Sequence, residues 1–323
     1  MIKLGLIDRK LLFELDSNSR APISTLSKKL SISRDVVSYR LNRFKDKKII
    51  NSYGAVIDAS KLGYKIYRIF LKFYAMPKQK YQELLNLLKE TDNIFWIGEC
   101  DGFVDLAIGI WINKSSELYH FYNELVLSFR KYIKKDYVYE LISFTHFTEN
   151  YIGDFSTEDR VLAVIGKSEK ESFDQIDIQI LNLLVANSRI PIIEIASKVN
   201  LDSSTVIHRI KQLKKRKIIS AFTIDINHEV LGRDWYSIKI YLSDLSRRKE
   251  IIEFLKSVNS VITMSSTIGG WDIDFDMKIS SSKEYYDLMD TLKNNFSEML
   301  EIEHFRIKKT LMTLGIPNVK LKN

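Results

Sequence analysis

Residues 8–22 read DRKLLFELDSNSRAP, and residues 177–191 read DIQILNLLVANSRIP. Both open on aspartate, carry an aliphatic pair (Leu11-Leu12, Ile180-Leu181), and close on Asn-Ser-Arg-x-Pro. The offset is 169 residues, Asp8 to Asp177, and it persists downstream. Arg40 meets Arg209, Lys48-Ile49-Ile50 meets Lys217-Ile218-Ile219, and Leu62-Gly63 meets Leu231-Gly232. Farther on the offset drifts to roughly 165, as changes in loop length produce. One unit therefore occurs twice in the chain, and whatever fold it has is present in duplicate.

The whole-chain numbers bound what that unit can be. At 323 residues the chain exceeds the roughly 250–300 residues that one core accommodates. Apolar residues at 45% and charged residues at 28% allow a packed core in both copies. The formal charge of +8 is a mild basic excess that suits a polyanionic partner. Cys100 is the only cysteine, so no intrachain disulfide and no cysteine-built metal site is expected, which fits a reducing compartment. Asp8 and the lack of an apolar run behind it argue against a signal peptide. The most apolar stretch, 104–112, carries Asp105 and is far short of the ~20 residues that span a bilayer. A cytoplasmic protein without a membrane partner is expected.

Each copy starts with three helical patterns. Ile7, Leu11, Leu12 and Leu15 share one face; Asn18-Ser19-Arg20 breaks it; a short helix carries Ile23, Leu26 and Leu30. Ser31-Ile32 turns the chain, and Ser33 caps a third helix that runs to Lys47 with Val37, Leu41 and Phe44 inward. The second copy repeats this with Ile176, Ile180, Leu181 and Leu184, then Ile192, Ile195 and Val199, then Val206, Ile210 and Leu213, its third helix capped by Asp202 or Ser203. Strand and helix patterns then alternate in the order βαββαβ. Strands are expected at 66–74, 94–99, 104–112 and 137–147, and again at 237–242, 261–266, 271–279 and 302–313. The fold class is α+β: a winged-helix-like helix-turn-helix (HTH) domain followed by a ferredoxin-like βαββαβ domain, twice. The expected bounds are 1–52 and 53–150 for the first copy, and 173–221 and 222–316 for the second. Between them 151–172 reads as a polar linker, with Asp154, Glu158, Asp159 and the charged run 167–172, in which 161–165 has room for a short strand or helix.

This succession resembles the Lrp/AsnC (feast/famine) family of prokaryotic transcription regulators. The family's opening Asp, Ile-Leu and Asn-x-Arg match Asp8, Leu11-Leu12, Asn18 and Arg20, then Asp177, Ile180-Leu181, Asn187 and Arg189. Its recognition-helix pattern matches Ser33, Val37, Arg40 and Phe44, then Asp202, Val206, Arg209 and Leu213. Its Gly-x-x-Asp signature, in the ligand-sensing (RAM) domain, matches Gly102 to Asp105 and Gly269 to Asp272. Lys48 and Lys217 depart from the glycine that usually ends the recognition helix. A typical member carries one copy per chain and dimerises, whereas this chain resembles a fused pair.

The resemblance implies a sequence-specific regulator whose partner is double-stranded DNA, and the basic clusters at the ends of the third helices suit its phosphates. In the first copy Ser33, Arg34, Asp35, Ser38, Tyr39, Arg40, Asn42, Arg43 and Lys47 are the DNA-binding candidates. In the second they are Ser203, Ser204, Thr205, His208, Arg209, Lys211, Gln212 and Lys215. Arg40 and Arg209 serve equally well as buttresses of helix packing. An amino-acid effector is implied near Cys100, Gly102 and Asp105, and near Thr267, Gly269 and Asp272, although Gly plus Asp also simply makes a turn. A homo-oligomer built on an intrachain pseudo-dimer is expected.

No phosphate loop, dinucleotide fingerprint or nucleophile elbow occurs, and the five histidines (120, 146, 208, 228 and 304) show no metal-ligand spacing. No catalytic residue, cofactor or metal is therefore expected, and the chain reads as a regulator that is not an enzyme. One enzyme class does share the architecture. The siroheme decarboxylases resemble Lrp/AsnC proteins, sometimes as fused pairs, and use histidines around a tetrapyrrole. His146 and His304, on the last strands, keep that alternative open, beside a sensor or assembly module without DNA binding. The four tryptophans and Cys100 read as sheet core or interface.

Overall fold

The computed structural model describes residues 2–153, 155, 160–166, 168–313 and 315–317. Asp154, Glu158, Asp159 and Lys167 of the connector lie outside the described residues, as do Met1 and Leu314. The first copy opens with α1 (Leu6–Ser17), α2 (Ile23–Leu30) and α3 (Arg34–Asp46). It continues through β1 (Ile50–Ile57), β2 (Lys65–Phe73), α4 (Lys78–Glu90), β3 (Ile94–Gly102), β4 (Leu106–Ile112), α5 (Ser115–Phe129) and β5 (Ile133–Phe147). The connector holds a strand, β6 (Val161–Gly166), which pairs antiparallel with β5. The second copy comprises α6 (Gln175–Ala186), α7 (Ile192–Val199), α8 (Ser203–Lys215), β7 (Ile219–Ile226), β8 (Asp234–Leu242), α9 (Arg248–Ser257), β9 (Val261–Ile268), β10 (Ile273–Ile279), α10 (Ser282–Asn295) and β11 (Met299–Thr313).

The recognition helices start and stop for local reasons. Ser33 accepts the Val36 N–H at 3.2 Å, and Asp202 accepts that of Thr205 at 2.8 Å. Both helices end on a left-handed residue although glycine is missing: Lys48 has φ 51° and Lys217 has φ 57°. The N–H of the following Ile49 and Ile218 reaches back to Phe44 and Leu213, which satisfies carbonyls at the helix end. The geometry a glycine usually provides is thus kept by lysine.

The motif that opened the sequence joins the two halves. Ser19 and Ser188 hydrogen-bond to each other through their hydroxyls at 2.5 Å, on the pseudo-twofold axis. Arg20 donates to the carbonyls of Ser188 and Ile190, and Arg189 donates to those of Ser19 and Ala21. β1 and β7 pair antiparallel beneath them. Each three-helix core packs on the other copy's strand: Leu11, Leu12 and Leu15 share a core with Ile224 and Ile226, while Ile180, Leu181 and Leu184 share one with Ala55 and Ile57.

The two βαββαβ sheets, β5-β2-β4-β3 and β9-β10-β8-β11, are hydrogen-bonded along both edges, β3 to β11 and β5 to β9. The result is a closed ring of eight antiparallel strands, with β6 added to the far half of β5. Closure removes the free edges that a lone ferredoxin-like sheet exposes. Alternation along the strands sends one set of side chains outward beneath α4 and α5 or α9 and α10, and the other set into the ring.

Candidate functional site

A cavity of about 360 Å³ lies inside the ring, within the size range of small-molecule sites. Strand registers make its asymmetry plain. On the first copy's side the cross-strand pairs are Phe70–Ala107, Arg68–Gly109 and Ile66–Trp111. The equivalent pairs in the second copy are Lys239–Asp274, Ser237–Asp276 and Trp235–Lys278. One half supplies rings and a single guanidinium, and the other supplies a charged lattice. Duplication built the frame, and divergence of six inward positions built the site.

The first half's wall depends on two glycines and a bulge. A register shift between Ile94 and Trp96 turns both Phe95 and Trp96 toward the interior. The Trp96 indole lies across Gly98, where an added Cβ would sit 2.4 Å from Cη2. Gly109 leaves room for the Phe95 ring and for Nη1 of Arg68. The Arg68 guanidinium is stacked against Trp96 at 4.9 Å and Phe95 at 5.4 Å, and its buried Nη1 has no hydrogen-bond partner. Trp235, opposite, likewise leaves Nε1 buried and unpartnered. Buried donors without partners are rare in folded proteins, and a ligand acceptor is one explanation.

In the second half Lys239, 2% exposed, pairs with Asp274 and donates to Ser237 at 2.8 Å. Burial raises Asp274 above the usual carboxylate range, with Lys239 opposing the shift. Lys239 also faces the rings of Phe70, Phe305 and Trp271 at 5.5–5.8 Å. Lys278 pairs with Glu149 at 2.5 Å and lies 5.5 Å from the Trp235 ring centre.

His146 reaches this cavity because of a second bulge. Tyr139 and Leu141 face inward on β5; a register shift between Leu141 and Ser143 then inverts the alternation, so that Phe144 and His146 face inward too. No hydrogen bond joins the His146 ring to another described residue, and Phe144 packs against it edge-on at 4.6 Å. Burial, partly opposed by Asp276, lowers its pKa to about 4, so the ring is neutral near pH 7. His304 takes the other face: its Nδ1 meets the Tyr285 hydroxyl at 3.0 Å beneath α10, away from the cavity. Of the two histidines singled out in the sequence, only His146 lines the site. The sequence reading missed Arg68, Lys239, Asp274, Asp276 and Lys278. The signal that finds them is the mismatch of the repeats, Ala107, Gly109 and Trp111 standing where Asp274, Asp276 and Lys278 stand.

The residues expected to bind an effector lie apart from the cavity. Asp105 accepts from the Phe73 N–H at 2.8 Å and from Lys72 at 2.7 Å, while Asp272 accepts from the Leu242 N–H at 2.8 Å. Gly102 and Gly269 adopt positive φ at these turns. Cys100 is buried against the Gly98 carbonyl, and Thr267 donates to the Trp271 carbonyl. Each carboxylate thus pins its turn to the neighbouring strand.

On the third helices Arg34, Asp35, Tyr39, Asn42 and Lys47 are exposed, as are Ser203, Ser204, His208, Lys211 and Lys215. Ser33 is the cap, and Ser38 donates to the Arg34 carbonyl. Arg40 and Arg43 both pair with buried Asp8, and Arg209 pairs with Asp174 and Asp177. Thr205 donates to the Asp202 cap at 2.6 Å, and Gln212 is half-buried. No described helix is long and apolar enough to cross a membrane.

Residues 173–214 match the AsnC-type helix-turn-helix domain, and residues 5–51 match the winged helix-turn-helix DNA-binding family. The HTH-type transcriptional regulator Ptr1 of Methanocaldococcus jannaschii is 36% identical over 114 residues, covering 35% of this chain and 75% of Ptr1. The HTH-type transcriptional regulator FL11 of Pyrococcus furiosus is 26% identical over 144 residues, 44% of this chain and 90% of FL11. Among solved structures, the siroheme decarboxylase NirDL aligns over 96% of this chain and 94% of its own, with a TM-score of 0.65 at 12% identity. The same enzyme in complex with an iron-uroporphyrin III analogue aligns with a TM-score of 0.63. The HTH matches and the likeness to these regulators support a DNA-binding regulatory function, while the match to NirDL shows a fold shared over nearly the whole chain. The expectation that the chain is not an enzyme is corrected by that match: two solved structures that share its fold over nearly its whole length are of an enzyme.

Proposed function

This chain belongs to the Lrp/AsnC family in a tandem-duplicated form, and from that premise we propose that its ring cavity binds a siroheme-like iron tetrapyrrole and removes CO2 from its carboxylate arms. The observation that carries this reading is the pairing of aromatic walls with unpartnered or cationic groups around one unbonded histidine. A tetrapyrrole is a flat apolar disc with carboxylates on its rim. Trp96, Phe95 and Phe305 line the cavity with aromatic rings, and Arg68, whose buried Nη1 has no partner, offers a charge-assisted hydrogen bond to the rim. Such a pocket resembles neither a bare core nor an open surface patch.

The reaction conserves atoms simply. An acetate arm, R–CH2–COO⁻, loses CO2 as the bond to the carboxyl carbon breaks. The electron pair stays on the methylene carbon and takes up one proton to give R–CH3. A nearby carboxylate favours imidazolium, so a bound anionic substrate raises the His146 pKa from its low ligand-free value and equips it to donate. Arg68 holds the carboxylate in place through its fixed fork of donors.

Siroheme is added to the purified protein, with binding followed by absorbance and products by mass spectrometry. The spectrum is expected to shift, and the pigment to lose CO2. His146→Ala should keep binding while turnover falls by about 10²-fold or more. An unshifted spectrum together with unchanged pigment mass would overturn the reading.

A second reading rests on α8, which turns Lys211, Lys214 and Lys215 to solvent, followed by exposed Lys217. These suit phosphate neutralisation by a DNA-binding regulator. The two readings use different surfaces and are compatible in one molecule.

A further inference from the structure

Asp16 is the penultimate residue of α1 in the first HTH domain, yet it lines the ring cavity and is 2% exposed. Thr223 of β7 donates to Oδ1 at 2.8 Å, and the Glu149 N–H donates to Oδ2 at 2.7 Å. The titratable groups around it are few. Glu149 follows β5 and Lys278 comes from β10, the two paired at 2.5 Å. Tyr151 donates to the second Glu149 oxygen, and Arg233 lies over the Tyr151 ring at 4.8 Å and reaches its carbonyl at 3.2 Å. Arg233 is itself 3.6 Å from Glu284.

Two carboxyl groups thus share one ammonium in a buried place. Lys278 is committed to Glu149, and no cation pairs directly with Asp16 among the described residues. When two acids share such a site, one retains its proton. Burial, with Glu149 second, raises the Asp16 pKa to about 7. The fold does not ask for this acid: at the equivalent position of the second copy the residue is Val185, and the equivalent of Lys278 is Trp111. Asp16 is therefore one of the divergent positions that distinguish the site from its frame.

We propose that Asp16 is a proton-donating acid of the cavity, holding at neutral pH the proton that replaces CO2 on the substrate arm. This rests on the decarboxylase reading, which consumes one proton for each CO2 released. The proton leaves the Asp16 carboxyl and forms the new C–H bond, directly or after passing through His146. Asp16 then takes up a fresh proton from solvent for the next turnover. It follows that an HTH domain contributes chemistry to a site it seemed only to flank.

The test uses the full chain with and without siroheme. In the ligand-free protein, infrared spectroscopy is expected to show a protonated carboxyl band that disappears as pH rises through about 7, and that is missing in Asp16→Asn. In single turnover with siroheme, the wild-type rate should fall above that pH. Asp16→Asn should be slower by about 10²-fold, without that pH limb, and should bind siroheme within about threefold of wild type. Asp16→Val, which installs the residue of the other repeat, should behave alike and guards against a folding effect of the amide. A missing band, or a variant that keeps the wild-type rate and pH profile, overturns the assignment to Asp16. Siroheme left intact by the wild type overturns the decarboxylase reading and the delivery step with it, while the band still reports separately on the proton at Asp16.

Discussion

His146 has no hydrogen-bond partner in the cavity wall, and its low pKa makes a signed prediction. The ring is neutral in the folded protein down to about pH 4, whereas in the unfolded chain it takes up a proton below about 6.5. A folded pKa below the unfolded one means the unfolded state binds more protons in that window. Stability from this residue is present above pH 6.5 and is lost as pH falls toward 4. His228 shifts in the same direction, so the wild type alone does not isolate the effect. His146→Gln, compared with wild type by urea unfolding at pH 7 and pH 4.5, should lose less stability on acidification. The difference is at most about 3 kcal/mol for a shift of this size. Equal losses in the two proteins would show that the imidazole is not held neutral by its surroundings.

At the scale of elements, the site depends on where strands break their alternation. Gly98 lets the Trp96 indole lie along β3, and the Phe95–Trp96 bulge brings both rings to one face. Gly98→Ala places a methyl in the indole ring, so Trp96 must rotate out of the wall. A loss of about 1–3 kcal/mol in stability is expected, with weaker tetrapyrrole binding and altered tryptophan fluorescence. Unchanged fluorescence and affinity would mean the indole position is not what shapes the cavity. The same bulges explain what was readable from the sequence. Three-helix units, caps and the βαββαβ order follow from period and turn residues, which are local. Edge pairing of β3 with β11 and β5 with β9 joins residues some 120 to 210 positions apart, as from Glu140 to Ile268 and from Gly102 to Phe305, and no local pattern encodes it. In β10, Asp274, Asp276 and Lys278 alternate with Ile273, Phe275 and Met277, which by single-sheet logic places the charges toward water. Closure of the ring places them in a cavity instead. His146 was visible as a histidine on a last strand, but the parity change at Leu141–Ser143 that aims it inward was not.

At the scale of the whole molecule, the asymmetry of the cavity has a counterpart on the HTH surface. The pseudo-twofold lock at Ser19–Ser188 holds α3 and α8 as a fixed pair. A family dimer would present identical helices, but here Lys211 and Lys215 of α8 correspond to Asn42 and Asp46 of α3. Arg40 and Arg43 are both held by Asp8 in the first copy, whereas in the second Gln212 replaces Arg43. The second HTH domain thus carries more free positive charge along its recognition helix. If DNA is a partner, α8 should dominate phosphate contact. Changing Lys211→Asn and Lys215→Asp together makes α8 resemble α3, and should reduce duplex affinity while lowering the slope of log affinity against log salt by about 2. Arg34→Ser, which gives α3 the residue found in α8, should change the slope by about 1 at most. The cavity should be unaffected by any of these changes, since none of the residues lines it. Equal effects from the two helices would mean both read DNA alike. No retardation of duplex DNA by the wild type at moderate salt would leave the paired HTH domains as the scaffold that closes the ring and positions Asp16, and the regulatory reading would fall.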